Sequence, residues 1–282
     1  MLKIKEYVKV ESLQQAYELN QKRANRIIGG MLWMKMSNAQ IQTAIDLSGL
    51  GLDQIEETED AFQIGCMVTL RALELHEGLN RLSGGIVRES VKDIVGVQFR
   101  NLATIGGSLF GRFGFSDVLT CFLALDTYVE LYKGGVISLE EFAAKERDND
   151  ILVRVIVKKH AGNYAYLTHR NTKTDFPVLA IAAAADERGG RIVAGARPSK
   201  AIVISMDESQ VSALGQEKTT EELAKMAEQL AAKVPTGSNM RASAEYRSHL
   251  AKVLIHRALL QLRDQEAKCT ENMENSTEGG QK

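Results

Sequence analysis

The chain has 282 residues, with 35 basic against 36 acidic side chains, a formal charge of −1, and 44% hydrophobic and 25% charged residues. This ordinary globular composition excludes a disordered or fibrous chain, and the balanced charge excludes nucleic acid as the main partner, because phosphate neutralisation needs an excess of Lys and Arg on one face. The longest apolar run, 178–185, is far short of the roughly 20 residues of a spanning helix. The N-terminus lacks the apolar core of a secretion signal. Three cysteines (Cys66, Cys121, Cys269) without Cys-x-x-Cys spacing suit a reducing, cytoplasmic setting, and they fall short of the four thiolates that usually hold an iron–sulfur cluster. No metal centre is expected in the chain itself.

At this length two or three packed subdomains are expected. In chain order, Ser12-Leu13-Gln14-Gln15 fits a capping box that opens a helix running to Asn20. Arg26-Ile27-Ile28 reads as a short strand stopped by Gly29-Gly30, and 44–47 as a second. A strand over 62–67 leads to a helix opening at Thr69-Leu70, and 117–125 reads as a buried helix. The strand over 128–132 turns at Lys133-Gly134-Gly135 into Val136-Ile137, the paired glycines supplying positive φ. The β-branched run 151–157 is a further strand. Residues 178–185 and 191–194 form a second hairpin, and helices follow over 220–233 and 243–262. In the last of these, Tyr246, Leu250, Val253 and Leu254 share one face, a stripe that Arg257 interrupts. Residues 270–282 read as a polar tail. The mixture is α+β, with no internal repeat.

Two of the glycine doublets carry chemical interest. Ile27-Ile28-Gly29-Gly30-Met31-Leu32-Trp33 and Ala103-Thr104-Ile105-Gly106-Gly107-Ser108-Leu109 each read as an apolar strand ending in paired glycines. Such a turn lets backbone approach a ligand closely, and its successive amides form a concavity for anions. The plain alternative is that both doublets are turns and nothing more. Neither matches G-x-G-x-x-G, which disfavours a Rossmann dinucleotide site.

The second doublet lies within Gln98-Phe99-Arg100-Asn101-Leu102-Ala103-Thr104-Ile105-Gly106-Gly107-Ser108, followed nine residues later by Asp117. This segment closely resembles the flavin-binding subunit of the molybdenum hydroxylases, the relatives of xanthine dehydrogenase and carbon monoxide dehydrogenase. Further stretches resemble the same family in the same order: Phe62-Gln63-Ile64-Gly65-Cys66-Met67-Val68-Thr69-Leu70, Cys121-Phe122-Leu123-Ala124-Leu125-Asp126-Thr127, Ile137-Ser138-Leu139-Glu140-Glu141-Phe142, Asp150-Ile151-Leu152, and Asn239-Met240-Arg241-Ala242-Ser243-Ala244-Glu245-Tyr246-Arg247. The resemblance spans almost the whole chain. It implies a PCMH-type FAD-binding fold of two α/β subdomains (1–55 and 56–168), a C-terminal α+β domain (169–265) and a flexible tail (266–282).

The resemblance also implies a site. Ile28, Gly29, Gly30, Met31, Leu32 and Trp33 of the first loop would hold FAD together with Ala103, Thr104, Ile105, Gly106, Gly107 and Ser108 of the second, Asp117 and Leu152. The glycines would cradle phosphates, Thr104 and Ser108 would hydrogen-bond cofactor oxygens, Asp117 would anchor a ribityl or ribose hydroxyl, and no side chain would act as acid or base. By the same resemblance, a large partner subunit carries molybdopterin, a small one carries [2Fe-2S] clusters, and the flavin passes electrons to NAD⁺ or another acceptor.

Departures from the family pattern concentrate at 31–33, where a small polar residue and an acid usually stand, and at 111–116, usually a small-residue run with proline. Leu167-Thr168-His169 occupies a region where some members place a lysine. These departures motivate a rival, an assembly subunit with a degenerate flavin site; a free-standing flavin oxidoreductase is a second. His76, His160, His169, His249 and His256 show no metal spacing, the acidic run 56–60 reads as a solvated loop, and 197–200 faces either a partner or solvent.

Overall fold

The computed structural model describes residues 1–215 and 219–278, with side chains as far as 267. The chain opens with β1 (Lys3–Lys9), α1 (Leu13–Asn20), β2 (Arg26–Ile28) and β3 (Gln40–Asp46), and the three strands pair in parallel in the order β1-β3-β2. Helix α1 starts at the expected cap: the Ser12 hydroxyl accepts from the Gln15 amide at 3.1 Å. The Gln15 side chain reaches back one residue further than a capping box requires, to the Glu11 N–H at 2.8 Å.

A five-stranded antiparallel sheet comes next, with β4 (Ile55–Glu57), β5 (Ala61–Gly65), β6 (Thr127–Leu131), β7 (Gly135–Ser138) and β8 (Leu152–Lys158) in the order β4-β5-β8-β6-β7. Between β5 and β6 lies a run of short helices: α2 (Leu70–Leu75), α3 (Glu77–Leu82), α4 (Ile86–Val91), α5 (Val97–Arg100), α6 (Ile105–Phe110) and α7 (Asp117–Ala124); α8 (Leu139–Ala144) follows β7. In the β6–β7 turn only Gly135 takes a positive φ, of 67°. Gly134 serves otherwise, donating its N–H to Asp150 Oδ2 at 2.7 Å.

The third unit is an antiparallel sheet of β9 (Gly162–His169), β10 (Leu179–Asp186), β11 (Gly189–Gly195) and β12 (Ile202–Ser205), in the order β12-β11-β10-β9. It is followed by α9 (Glu208–Ser212), α10 (Thr220–Ala231) and α11 (Ala244–Glu278). The position of β10 explains its unbroken apolar run. Ala180, Ala182 and Ala184 enter the core shared with α7, whereas Leu179, Ile181 and Ala183 enter a second core under α10 and α11. A strand buried on both faces has no polar side to show. The fit against α7 is close, since a Cβ on Gly195 of β11 would collide with the Thr120 hydroxyl.

Helix α11 departs from expectation twice. It continues to Glu278, past Leu262 and through most of the stretch expected as a tail, because no glycine or proline interrupts it before Gly279; residues 279–282 lie outside the described residues. On its inner face Tyr246 is 44% exposed, while Arg247 is fully buried. The Arg247 guanidinium donates to the carbonyls of Val178, Gly237 and Ala242 at 2.6–2.8 Å and to Asn239 Oδ1 at 2.6 Å, stitching the preceding loop to β10.

Arg100, inside the motif that carried the family resemblance, acts as a clamp. Its Nε and Nη2 donate to the two oxygens of Glu74 at 2.7 and 3.3 Å, and its Nη1 to the Ile94 carbonyl at 3.1 Å, tying α5 to α2 just before the second glycine loop. Burial pushes the Glu74 carboxyl upward, but hydrogen bonds and charge from Arg100 and Arg71 outweigh it and hold the carboxyl below its ordinary value. A depressed carboxylate contributes stability above its unfolded pKa, near 4.3, and loses it as pH falls through the folded value. Arg100→Leu should therefore destabilise the protein by about 1.5–3 kcal/mol at pH 7, the loss of charge-assisted hydrogen bonds to a carboxylate that keeps Arg71 as partner, with a smaller loss at acid pH where Glu74 is protonated. Urea titrations of the two proteins at several pH values would check both the size and the sign of the trend.

Candidate functional site

A cavity of about 500 Å³ opens between the loop after β2, the α5–α6 and α6–α7 segments, and the β9–β10 loop of the C-terminal sheet. Ten of the expected site residues line it: Gly29, Gly30, Met31, Leu32, Trp33, Ala103, Thr104, Gly107, Ser108 and Asp117. The other four do not reach its wall. Ile28 and Ile105 are buried among core side chains, and Leu152 lies in the core as the first residue of β8. Gly106 packs against the chain: its N–H donates to the Cys66 carbonyl at 2.9 Å, and a Cβ would stand 2.6 Å from the same oxygen.

The two glycine doublets differ physically. The second follows no strand; it forms the first turn of α6, whose N-cap is Thr104. The amides of that turn are already spoken for: Ile105 N–H goes to the Val68 carbonyl, Gly106 to Cys66, Gly107 to the Thr104 hydroxyl at 3.1 Å and Ser108 to the Thr104 carbonyl. This turn offers a ligand room, since a Cβ on Gly107 would meet only Thr104 Oγ1, at 3.2 Å. The Thr104 hydroxyl keeps its proton free to donate, and Ser108 Oγ, which donates to the Thr104 carbonyl at 2.9 Å, keeps lone pairs free to accept.

The first doublet supplies the donors. Among the described residues the amides of Gly30, Met31 and Leu32 give no hydrogen bond to any group of the chain. Met31 sits at φ 58°, a left-handed conformation uncommon for a residue with a side chain, and one that helps consecutive N–H groups converge into an anion-receptive nest. The glycines bring this loop against the other: a Cβ on Gly30 would collide with the Leu102 carbonyl, and one on Gly29 would stand 2.8 Å from Thr104 Oγ1.

Asp117, buried at the start of α7, is the polar floor. Its Oδ1 accepts from the Tyr166 hydroxyl at 2.7 Å and from Arg170 Nη2 at 2.6 Å; Oδ2 has no protein donor. Arg170 also donates through Nη1 to the Asp175 carbonyl at 2.6 Å. Burial pushes the Asp117 carboxyl above its usual range against the pull of Arg170 and Tyr166. Burial and the Asp117 charge push the Tyr166 phenol well above its own, and Asp117 raises Arg170 despite burial, so the floor holds a fixed cation and a neutral phenol. Tyr166, Arg170, Asp175 and Phe176 escape sequence reasoning, because they belong to the C-terminal unit and become neighbours of Asp117 only in the fold. Trp33, Phe99, Phe113, Phe115 and Phe176 complete the wall with aromatic rings.

Among the described residues no cluster of His, Cys, Asp and Glu could hold a metal ion, and no helix is long and apolar enough to cross a membrane. Cys66 and Cys121 are buried free thiols, pushed up to about 12 by burial; the Cys269 side chain lies outside the described residues. Arg197, in the segment left open between partner and solvent, donates to the carbonyls of Lys200 and Pro235 at 2.8 Å.

The chain belongs to the family of FAD-binding flavoproteins of the molybdopterin dehydrogenases: residues 2–159 match the FAD binding domain in molybdopterin dehydrogenase, and residues 164–262 match the CO dehydrogenase flavoprotein C-terminal domain. It is similar to the uncharacterized protein YgfM of Escherichia coli (strain K12), at 27% identity over 212 residues, 73% of this chain and 80% of that one. Among solved structures, a chain of quinoline 2-oxidoreductase from Pseudomonas putida 86 superposes with a TM-score of 0.79 at 19% identity, covering 93% of this chain and 97% of that one. A chain of carbon monoxide dehydrogenase from Hydrogenophaga pseudoflava gives 0.80 at 21%, covering 91% and 96%. Both share the fold.

The unlike roles of the glycines give substitutions of unlike effect. Gly30→Ala should destabilise by about 1–3 kcal/mol, because the new methyl must displace the Leu102 backbone. Gly107→Ala should stay within about 1 kcal/mol of the parent, the methyl's close contact with Thr104 being offset by helix propensity. Thermal melts of the two variants check the contrast.

Proposed function

We propose that this chain is the electron-transfer subunit of a molybdenum hydroxylase complex, with FAD held between the loop 29–33 and helix α6. On this reading 1–55 and 56–168 are the FAD-binding subdomains, and 169–265 closes the cavity from the other side. The observation that carries it is the fit of the cradle. A nest of unpartnered amides at Gly30, Met31 and Leu32 faces a helix turn left open by Gly107, which is what an uncompensated pyrophosphate needs where no basic side chain is set aside for it. The free Asp117 Oδ2, held in orientation by Arg170 and Tyr166, accepts from a ribityl or ribose hydroxyl. Thr104 donates to a cofactor oxygen and Ser108 accepts.

FAD supplies the hydride and one-electron chemistry when bound. The chain's own side chains hold and orient. Asp117 is locked to a cation, and the described cysteines are buried thiols, so the cavity offers no free acid–base pair. That supports a carrier working with partners: a large subunit with molybdopterin, a small one with [2Fe-2S] clusters, and NAD⁺ or another acceptor, all within the cytoplasm.

The purified chain should show a flavin spectrum, with one FAD per chain released on denaturation and identified by mass. Gly107→Phe should empty the site while the circular dichroism spectrum stays unchanged. A parent protein that remains colourless after incubation with FAD would overturn the flavoprotein reading in favour of an assembly subunit. Oxidation of small substrates by the isolated chain would instead favour a free-standing oxidoreductase.

A further inference from the structure

The segments 31–33 and 111–116 meet in space. Trp33 stacks on Phe176 with ring centroids 5.2 Å apart and an interplanar angle of 28°, and lies 6.1 Å from Phe115 and 5.9 Å from Phe99. Phe115 in turn packs on Phe176 at 4.3 Å and lies parallel to Phe113 at 5.2 Å and 9°. These rings come from four loops and helices and from both halves of the molecule, and all line the cavity.

The cluster is not ordinary core. Trp33 remains 42% exposed and Phe113 39% exposed at the cavity wall, leaving apolar area wet that a flat ligand could cover. The two sides also differ in how firmly they are held. The guanidinium of Arg241 lies 4.8 Å over the Phe176 ring, and the Phe176 N–H donates to Asp175 Oδ1 at 2.7 Å. The Trp33 backbone opens a 3-10 turn, its carbonyl accepting from the Met36 N–H at 3.1 Å, but its indole N–H donates to no group of the described chain. For a third ring to enter, the stacked faces must part to roughly 7 Å, twice an ordinary carbon–carbon contact, and the Trp33 ring, which no hydrogen bond holds, can swing about its side-chain torsions while its backbone stays in the turn at 33–36.

We infer that Trp33 is the movable jaw of an aromatic clamp, with Phe176 and Phe115 as the fixed jaw, that grips a planar heteroaromatic ring of the cofactor. The inference rests on the FAD reading above. Adenine and isoalloxazine share the chemistry the clamp recognises, a flat π-face of heteroaromatic character. The adjacent amide nest places the clamp within reach of whichever ring flanks the pyrophosphate on this side.

Trp33 is the single tryptophan of the chain, so its emission reports on the clamp without a label. The flavin-free full-length chain would be titrated with FAD, ADP and FMN, following Trp33 emission alongside calorimetry. FAD should quench the emission in step with binding. An affinity loss for ADP alone in Trp33→Leu would assign the clamp to adenine, and a loss for FMN alone to isoalloxazine. Trp33→Leu and Phe176→Leu should bind FAD roughly ten- to a hundredfold more weakly, the factor one stacked ring supplies, and Trp33→Phe should recover most of the affinity. Full-affinity FAD binding by Trp33→Leu would overturn the clamp and leave the flavin reading standing. Failure of the parent chain to bind FAD by calorimetry would overturn both.

Discussion

The buried contact of Asp117 with Arg170 and Tyr166 joins the two halves of the molecule at the floor of the cavity. Asp117 opens a helix whose every residue is buried, and its partners both stand on or just after β9 of the C-terminal sheet. An ionised carboxylate at that depth is tolerated only with a cation and a hydrogen-bond donor beside it, and removing either partner strands the other. The C-terminal unit therefore cannot drift from the FAD-binding half without exposing or orphaning a charge. The cavity between them keeps a defined shape because this pair sets its depth.

With the floor fixed, the two glycine loops divide the remaining work. They look alike as strings, each an apolar stretch ended by paired glycines, yet one supplies hydrogen-bond donors and the other supplies space. The difference lies in the local partners of each doublet. Thr104 caps α6 and, with backbone from Cys66 and Val68, consumes the amides that the second doublet could have offered. Among the described residues no group takes the amides of Gly30, Met31 and Leu32, and Met31 between them is left-handed. Gly30 serves a third purpose, the close approach of the two loops, which no ligand argument would have required.

How much of this is legible in the chain depends on whether the cause is local. The cap at Ser12, the hairpin at Gly189 and the doubly buried strand β10 arise from residues within a few positions of each other, and the sequence places them well. Strand β1 escapes notice because it is an edge strand, exposed over almost its whole length, whose Lys and Glu residues leave no alternating apolar face. The second doublet looks like the end of a strand because Ala103-Thr104-Ile105 is β-branched and apolar, while the cap that makes it a helix start is a single hydroxyl. Periodicity favours Tyr246 over Arg247 because it ranks apolar residues as inward, whereas a guanidinium can be buried when carbonyls surround it.

The site shows the same division. Ten lining residues are legible in the sequence, Gly29, Gly30, Ala103, Thr104, Gly107, Ser108 and Asp117 through motifs and Met31, Leu32 and Trp33 by their place directly after the first doublet. Arg170, Asp175 and Phe176 are not, since their meaning is set by a contact with Asp117 far away in the chain, and by ring packing against Trp33. The departures at 31–33 and 111–116 look, as sequence, like erosion of a binding site. In the fold their aromatic side chains converge on one wall of the cavity and pack against one another, because rings brought together from distant loops bury more apolar area on each other than each could alone.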